Sequence, residues 1–328
     1  MSIHRVLFLL AAALLALPAT AAPASYPTKP LKIIVPFPAG SGTDAGARVL
    51  GQWLTANTGQ PVIVDNRPGA SGFIAAQSAA AAAPDGHTLL LTTNTTHAAN
   101  PAMFRKLPYD PVKDFEPVSM VGTAGLLLLV PAASPFPDIG SFLAQVRSGG
   151  KRLNFGAGNS SSRIAGELLK TATGADLLAV PYKGTPQALT DLTGGQIDFM
   201  FCDIGAALPL VMSGKLRALA TSSAERELLL RDVPTVSEAG LKGFEMSVWS
   251  AAFVPAKTPK DAIAKLSDLL RAALADPAVR QQFSSTGGRS RGSTPDELRA
   301  FVKSEMVKWA AAVKTAGIEP ERTPTPSW

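Results

Sequence analysis

Two loops hold the residues best suited to chemistry. One is residues 36–43, PFPAGSGT, inside the stretch "IVPFPAGSGTDAGARVL"; the other is residues 156–162, GAGNSSS. Each follows a short apolar run and opens a helical pattern. The first turn of a helix offers unpaired N–H groups and a partial positive charge. Glycine lets the backbone approach a ligand, and Ser, Thr and Asn side chains add donors. Such a turn can hold a carboxylate with no arginine. It can equally be a plain strand-to-helix turn with a capped helix. Matching loops in two α/β units favour anion capture across a cleft. Ligands of open α/β sheets bind outside the carboxyl ends of the strands. Residues 66–72 (NRPGASG), 92–97 (TTNTTH), 182–185 (YKGT) and 202–205 (CDIG) occupy such ends as well.

Rival chemistries fit less well. Gly40-x-Gly42 after a strand, with Asp65 ending the next one, imitates a dinucleotide fingerprint. The third glycine, Gly46, is one place late for G-x-G-x-x-G, and Pro36 and Pro38 crowd the turn. No Gly-Lys-Ser/Thr follows, which excludes a P-loop. Past the N-terminal segment the histidines are His87 and His97, with no carboxylate at metal-ligand spacing, so no metal site is expected. Ser160, Ser161 and Ser162 lack a G-x-S-x-G elbow and an evident base. Cys202 has no recognisable catalytic setting and reads as a small buried hydrophobe. No catalytic residue and no cofactor are expected.

The elements that must carry these loops follow from periodicity. "LKIIVPF", "PVIVDN" and "HTLLLTTN" read as strands. The helix between the first two carries Ala47, Leu50 and Leu54 on one face and is capped by Thr43 or Asp44. An alanine-rich helix over 73–82 precedes the third strand. The β-α-β-α-β order implies a parallel sheet flanked by helices. The pattern restarts with "LLLLV", a helix in "IGSFLAQVRSG", "LNFGAG", a helix with Ile164, Leu168 and Leu169, "LLAVPY", a helix in "TPQALTDLTGG", and "IDFMFCD". Two amphipathic helices finish the chain, one with Ile263, Leu266 and Leu270, the other with Leu298, Val302, Trp309 and Val313. The expected fold is α/β with two domains, 22–121 plus 247–328 and 122–246. "EPVSMVG" and "FEMSVWS" would be the crossing strands.

The chain of 328 residues is 46% hydrophobic and 17% charged, enough for a large core. Its net charge of +6 is scattered, without a basic-aromatic stripe, so no nucleic-acid partner is expected. "MSIHR", the apolar "VLFLLAAALLAL" and the A-x-A site Ala19-Thr20-Ala21 read as a signal peptide, residues 1–21, cut after Ala21. The single cysteine, Cys202, lies far from that site and cannot carry an N-terminal lipid. A free, exported, periplasmic protein is expected, without membrane anchor.

The ordered segments carry a further signal. "YPTKPLKIIVPFPAGSGTDAGAR", "GQPVIVDNRPGASG", "PDGHTLLLTTNTTHAANP", "KLPYDPVKDFEPVS", "GAGNSSSRIAGELLK", "VPYKGTPQALTDLTGGQIDFMF", "GKLRALATSSAER" and "DVPTVSEAGLKGFE" span almost the whole mature chain. In this order the chain resembles the periplasmic solute receptors of the tripartite tricarboxylate transporter type, the TctC-like or Bug receptors. The resemblance implies a type II-like, Venus-flytrap periplasmic binding protein that works as a monomer and is not an enzyme. It implies a small carboxylate ligand and transporter subunits in the membrane as partners. A ligand sensor without its own transporter, or an exported α/β enzyme, are the alternatives.

Carried over by that resemblance, the first pincer is Phe37, Pro38, Ala39, Gly40, Ser41, Gly42, Thr43 and Asp44. The second is Gly158, Asn159, Ser160, Ser161 and Ser162. Asn94, Thr96, His97, Tyr182, Cys202 and Asp203 would line the remainder. Three departures stand out. Ser41 replaces the middle of three glycines, Arg163 stands where many members have histidine, and Cys202 where many have aspartate, with Asp203 displaced by one. The last weakens the case for a ligand bearing an ammonium.

Overall fold

The computed structural model describes residues 26–322. The expected signal peptide lies outside the described residues. Strand β1 (Leu31–Val35) is almost wholly buried and runs parallel to β2 (Val62–Asn66) and β3 (Thr88–Thr93). Helix α1 (Gly42–Thr58) joins β1 to β2 and ends where Gly59 turns into the left-handed region. Helix α2 (Phe73–Ala80) leads to β3. A buried π-helical turn (Thr95–Ala99) and the short α3 (Asn100–Met103) follow.

The stretches expected as two strands are one. Strand β4 (Phe115–Pro131) runs unbroken for 17 residues. Its first part pairs antiparallel with β9 (Ser247–Pro255), from Phe115 opposite Pro255 to Gly125 opposite Ser247. Its last part, from Leu126, pairs antiparallel with β7 (Phe199–Asp203) and β8 (Leu216–Thr221). Glycine marks the join for a steric reason. A Cβ on Gly125 would lie 2.0 Å from Ser223 Oγ, and one on Gly122 would lie 2.7 Å from the Arg289 carbonyl oxygen.

Beyond β4, α4 (Ile139–Arg147) precedes β5 (Leu153–Ala157), and α5 (Ser160–Thr173) leads to β6 (Leu177–Pro181). Helix α6 (Thr185–Thr193) leads on to β7, and α7 (Ile204–Met212) to β8. β5 is parallel to β6 and β7. The strand order is β2-β1-β3-β9-β4-β7-β5-β6, with β8 and the two-residue β10 (Arg289–Ser290) pairing β4. The two expected parallel units are therefore present, and β4 and β9 join them through antiparallel ladders. Helices α8 (Lys260–Ala275), α9 (Pro277–Ser285) and α10 (Pro295–Thr315) return over the first unit. Helix α7, strand β8 and helix α9 are additions to the expected order.

Two polar side chains are built into this interior. Glu305 on α10 is buried and accepts from the indole Nε1 of Trp249 on β9 (2.8 Å) and of Trp309 (2.9 Å). His97 is fully buried, stacked on Phe253 with ring centres 3.9 Å apart and packed against Phe115 at 5.0 Å. Its Nδ1 shares a 2.8 Å hydrogen bond with Thr96 Oγ1. Burial pushes the imidazole down to about 3.

Glu305→Leu would strand both indole N–H groups and should cost about 2–4 kcal/mol by urea unfolding, with a smaller loss for Glu305→Gln. An unchanged unfolding midpoint for the leucine variant would contradict the bridge. His97 stays neutral when folded but takes a proton near ~6.5 when unfolded. The stability it contributes is complete above about pH 6.5 and should fall toward pH 3, by up to ~1.4 kcal/mol per pH unit. His97→Gln should remove this slope from a pH series of unfolding curves; an identical series would refute it.

Candidate functional site

The loop after β1 owes its shape to one hydroxyl and one carboxylate. Gly40 takes a left-handed conformation (φ 82°), which lets Ser41 stand extended before α1. Ser41, not Thr43 or Asp44, caps the helix: its Oγ accepts from the Asp44 N–H at 3.2 Å. The Asp44 carboxylate is buried and turns back on the loop. It accepts from Gly40 N–H (3.0 Å), Asn66 Nδ2 (3.0 Å) and Arg48 (3.0 Å). Burial pushes this carboxyl up, but the bonds from Arg48, Gly40 and Asn66 outweigh it and hold it below the usual range.

The opposing loop is fixed by a reciprocal cap. Ser162 N–H donates to Asn159 Oδ1 (2.9 Å), and Asn159 N–H donates to Ser162 Oγ (3.0 Å). This frees Asn159 Nδ2 to reach Asp203 Oδ2 at 3.2 Å. Two bonds then link the loops of the two sheet units. Asn94 Nδ2 donates to Ser161 Oγ (2.7 Å), and Ser160 Oγ donates to Asn100 Oδ1 (3.1 Å). Asn94 Oδ1 also accepts from the Trp249 N–H at 3.4 Å, tying the site to β9.

Four helix starts meet here: α1 at Gly42, α5 at Ser160, α6 at Thr185 and α7 at Ile204. The residues before α6 and α7, Gly184 and Asp203, give those helices no side-chain cap. Between them lies a cavity lined by Phe37, Ser41, Gly42, Thr43, Thr93, Asn94, Asn159, Ser161, Thr185, Asp203 and Val248. No lysine or arginine lines it. Its volume, about 10 Å³, has room for roughly one water. Asp203 is its one titratable wall residue, and burial pushes that carboxyl up against the opposing bond from Asn159. The lips touch: a Cβ on Gly184 would meet the Pro38 ring at 2.6 Å.

Two larger chambers flank the cavity. One, about 120 Å³, lies among Val49, Ile204, Val248, Trp249 and Phe283 and shares Gly42, Thr43 and Asp203 with it. The other, about 330 Å³, is lined by polar and apolar groups in similar measure and shares Phe37 and Asn159.

Of the residues singled out in the sequence, Phe37, Ser41, Gly42, Thr43, Asn94, Asn159, Ser161 and Asp203 surround the cavity, and Gly158, Ser160 and Tyr182 line the larger of the two chambers. The Tyr182 hydroxyl is itself engaged by Asp191 at 2.8 Å. The rest lie elsewhere. Pro38 forms a lip, Ala39 and Gly40 are exposed, and Asp44 and Ser162 serve the loops from within. Thr96 and His97 turn into the core: the π-helical turn after β3 stacks His97 on Phe253, and Thr96 Oγ1 shares hydrogen bonds with Thr92 Oγ1 and His97 Nδ1. Cys202 packs with Leu127, Leu129 and Met200, its place on β7 facing the opposite side from Asp203. Thr93 and Thr185 stand in loops that the sequence marks as candidates. Val248, in a strand, gives no such sign. Asp65, the residue that imitated a ribose acid, is paired with Arg67 at 3.0 Å. Among the described residues no group of acidic, histidine or cysteine side chains could hold a metal.

The geometry has close counterparts. Protein BugT of Bordetella pertussis is 37% identical over 303 residues, covering 90% of this chain and 93% of the relative. Rpa4515 of R. palustris, solved with adipate, superposes with a TM-score of 0.88 at 33% identity, covering 90% of this chain and all of the other. MatC of Rhodopseudomonas palustris, solved with bound malate, gives 0.81 at 35% identity over 88% of this chain and all of the other. Residues 47–318 match the model of the tripartite tricarboxylate transporter family receptor. With a match of that extent, the chain belongs to this family of receptors, which are binding proteins and not enzymes.

Proposed function

We propose that the protein is an extracytoplasmic receptor that captures a small organic carboxylate between two domains, 22–121 plus 247–328 and 122–246, and delivers it to a tripartite-type membrane transporter. One observation carries this reading. Helix starts from both sheet units converge on a cavity walled by hydroxyls and amides, with no cationic side chain. Unpaired first-turn N–H groups and the positive helix ends provide a place for an anion. Burial pushes the Asp203 carboxyl up, the direction that lessens its repulsion of an anion beside it. The adipate and malate bound to Rpa4515 and MatC support the carboxylate class. The signal peptide read in the sequence supports a periplasmic location. No helix among the described residues is long and apolar enough to cross a membrane.

A cavity for one water cannot admit such a ligand, so the lips must part. β4 and β9 are the strands that connect the two units, and hinge closure about them would seal the ligand from bulk water. Expelling water strengthens each hydrogen bond inside.

Protein stripped of bound ligand should show a thermal shift with at least one member of a panel of di- and tricarboxylates, acidic amino acids and aromatic acids. A ligand at a hundred times its Kd adds ~2.7 kcal/mol of stability. A panel without any shift would overturn the proposal. Gly184→Ala tests closure separately. The φ of Gly184 is −179°, which any residue adopts, so the added Cβ disturbs the contact with Pro38 and not the backbone. Titration calorimetry should show affinity about tenfold lower, with the melting temperature of the free protein little changed. Unaltered affinity would show that Pro38 and Gly184 need not touch in the bound state.

A further inference from the structure

We infer that Arg163 recognises a second anionic group on the ligand, and that Glu321 in the C-terminal tail occupies it until that group arrives. The inference rests on the carboxylate reading above and assigns a further point of specificity within the same cleft.

Thr95 and Arg163 both line the chamber beside the cavity, and each carries one buried side-chain atom with no hydrogen-bond partner among the described residues, Thr95 Oγ1 and Arg163 Nε. Thr95 is 1% exposed. Buried polar atoms in folded proteins are nearly always paired, so two orphans on residues that line one chamber call for a missing partner. Both can donate hydrogen bonds, and the start of α5 at Ser160 borders the same space. Lys183, exposed at the rim, adds a second positive charge. The chemistry therefore calls for an anion with acceptor oxygens. At about 330 Å³ the chamber has room for one, and through Phe37 and Asn159 it adjoins the cavity proposed for the first carboxylate.

Arg163 is already partly engaged. Its Nη2 meets Glu321 Oε1 at 2.6 Å, while Nε remains unpaired. A guanidinium is matched best by a carboxylate that takes two parallel N–H donors. Both partners of the existing pair are partly exposed, 30% and 45%, and exposed pairs are weak. Glu321 is anchored elsewhere: its N–H donates to the Met103 carbonyl, and its own carbonyl accepts from the Arg105 N–H. The tail can therefore stay in place while its side chain yields Arg163 to a better acceptor.

The test compares linear α,ω-dicarboxylates, succinate to suberate, with monocarboxylates of equal length, by titration calorimetry on the mature wild type, Arg163→Gln and Glu321→Gln. Wild type should bind at least one diacid about tenfold more tightly than its monoacid. Glu321→Gln should tighten the diacid further and leave the monoacid unchanged. Arg163→Gln should abolish the preference, and Arg163→Lys, which keeps the charge without Nε, should restore only part of it. Because Glu321 is exposed, its variant remains informative if a change at Arg163 disturbs folding. Equal binding of diacid and monoacid by wild type would overturn this inference and leave the carboxylate reading standing, as would a preference that persists in Arg163→Gln. Binding of no acid in this series by wild type would overturn this inference, and the carboxylate reading falls with it only if the wider panel above also gives no shift.

Discussion

The ladder between β4 and β9 is the constraint on which everything else depends. These strands belong to both groups of helices and sheets, and their hydrogen bonds cannot be broken without exposing buried backbone. A strand of 17 residues must therefore stay continuous through a region where neighbouring loops press close. Glycine at 122 and 125 meets that demand, since any side chain would collide with Arg289 or Ser223. Glu305 then fastens α10 to Trp249, and Trp249 holds Asn94 in the cleft. A continuous chain of contacts thus leads from the C-terminal helix, through a connecting strand, to the loops that face the central cavity.

Around the cleft, polar groups are used in two ways. One set is consumed by the protein: Ser41 and Asp44 shape the first loop, Asn159 and Ser162 cap each other, and Asn94 and Ser161 join the two sides. Their satisfaction makes the walls rigid, which is what a preorganised site requires. The other set is left open, namely the uncapped beginnings of α6 and α7 and the orphaned atoms of Thr95 and Arg163. On the readings proposed above, recognition would fall to this second set.

Much of this was legible in the sequence, and the failures have physical causes. β1, α1 and the two Gly/Ser loops declare themselves because buried apolar runs end abruptly in residues that only turns and helix starts favour. The cap of α1 was misplaced by two or three residues because Ser41, Thr43 and Asp44 are all competent caps, and only the turn at Gly40 decides between them. Helix α7 escaped notice because "IGAALPLVM" is apolar throughout, giving no period, and contains Pro209. Yet its start forms part of the cavity. β4 was divided in two because "GTAG" resembles a turn when its partner strand is unseen. The loop holding His97 was rightly marked as lying at a strand end, but whether a side chain there faces cleft or core depends on a π-helical turn that local sequence does not announce. Glu321 is far from Arg163 along the chain, and nothing local connects them.

The absence of lysine and arginine from the walls of the central cavity has an environmental consequence. Dissolved ions screen exposed charges over about 8–10 Å at ordinary ionic strength, but reach buried groups far less. An anion held by enclosed helix starts would be bound with nearly the same strength in dilute and in saline surroundings. A receptor exported from the cell meets whatever ionic strength the outside imposes. An anionic group held by backbone dipoles in that closed space would be captured with little dependence on salt, whereas the partly exposed Arg163 and the exposed Lys183 would remain sensitive to it.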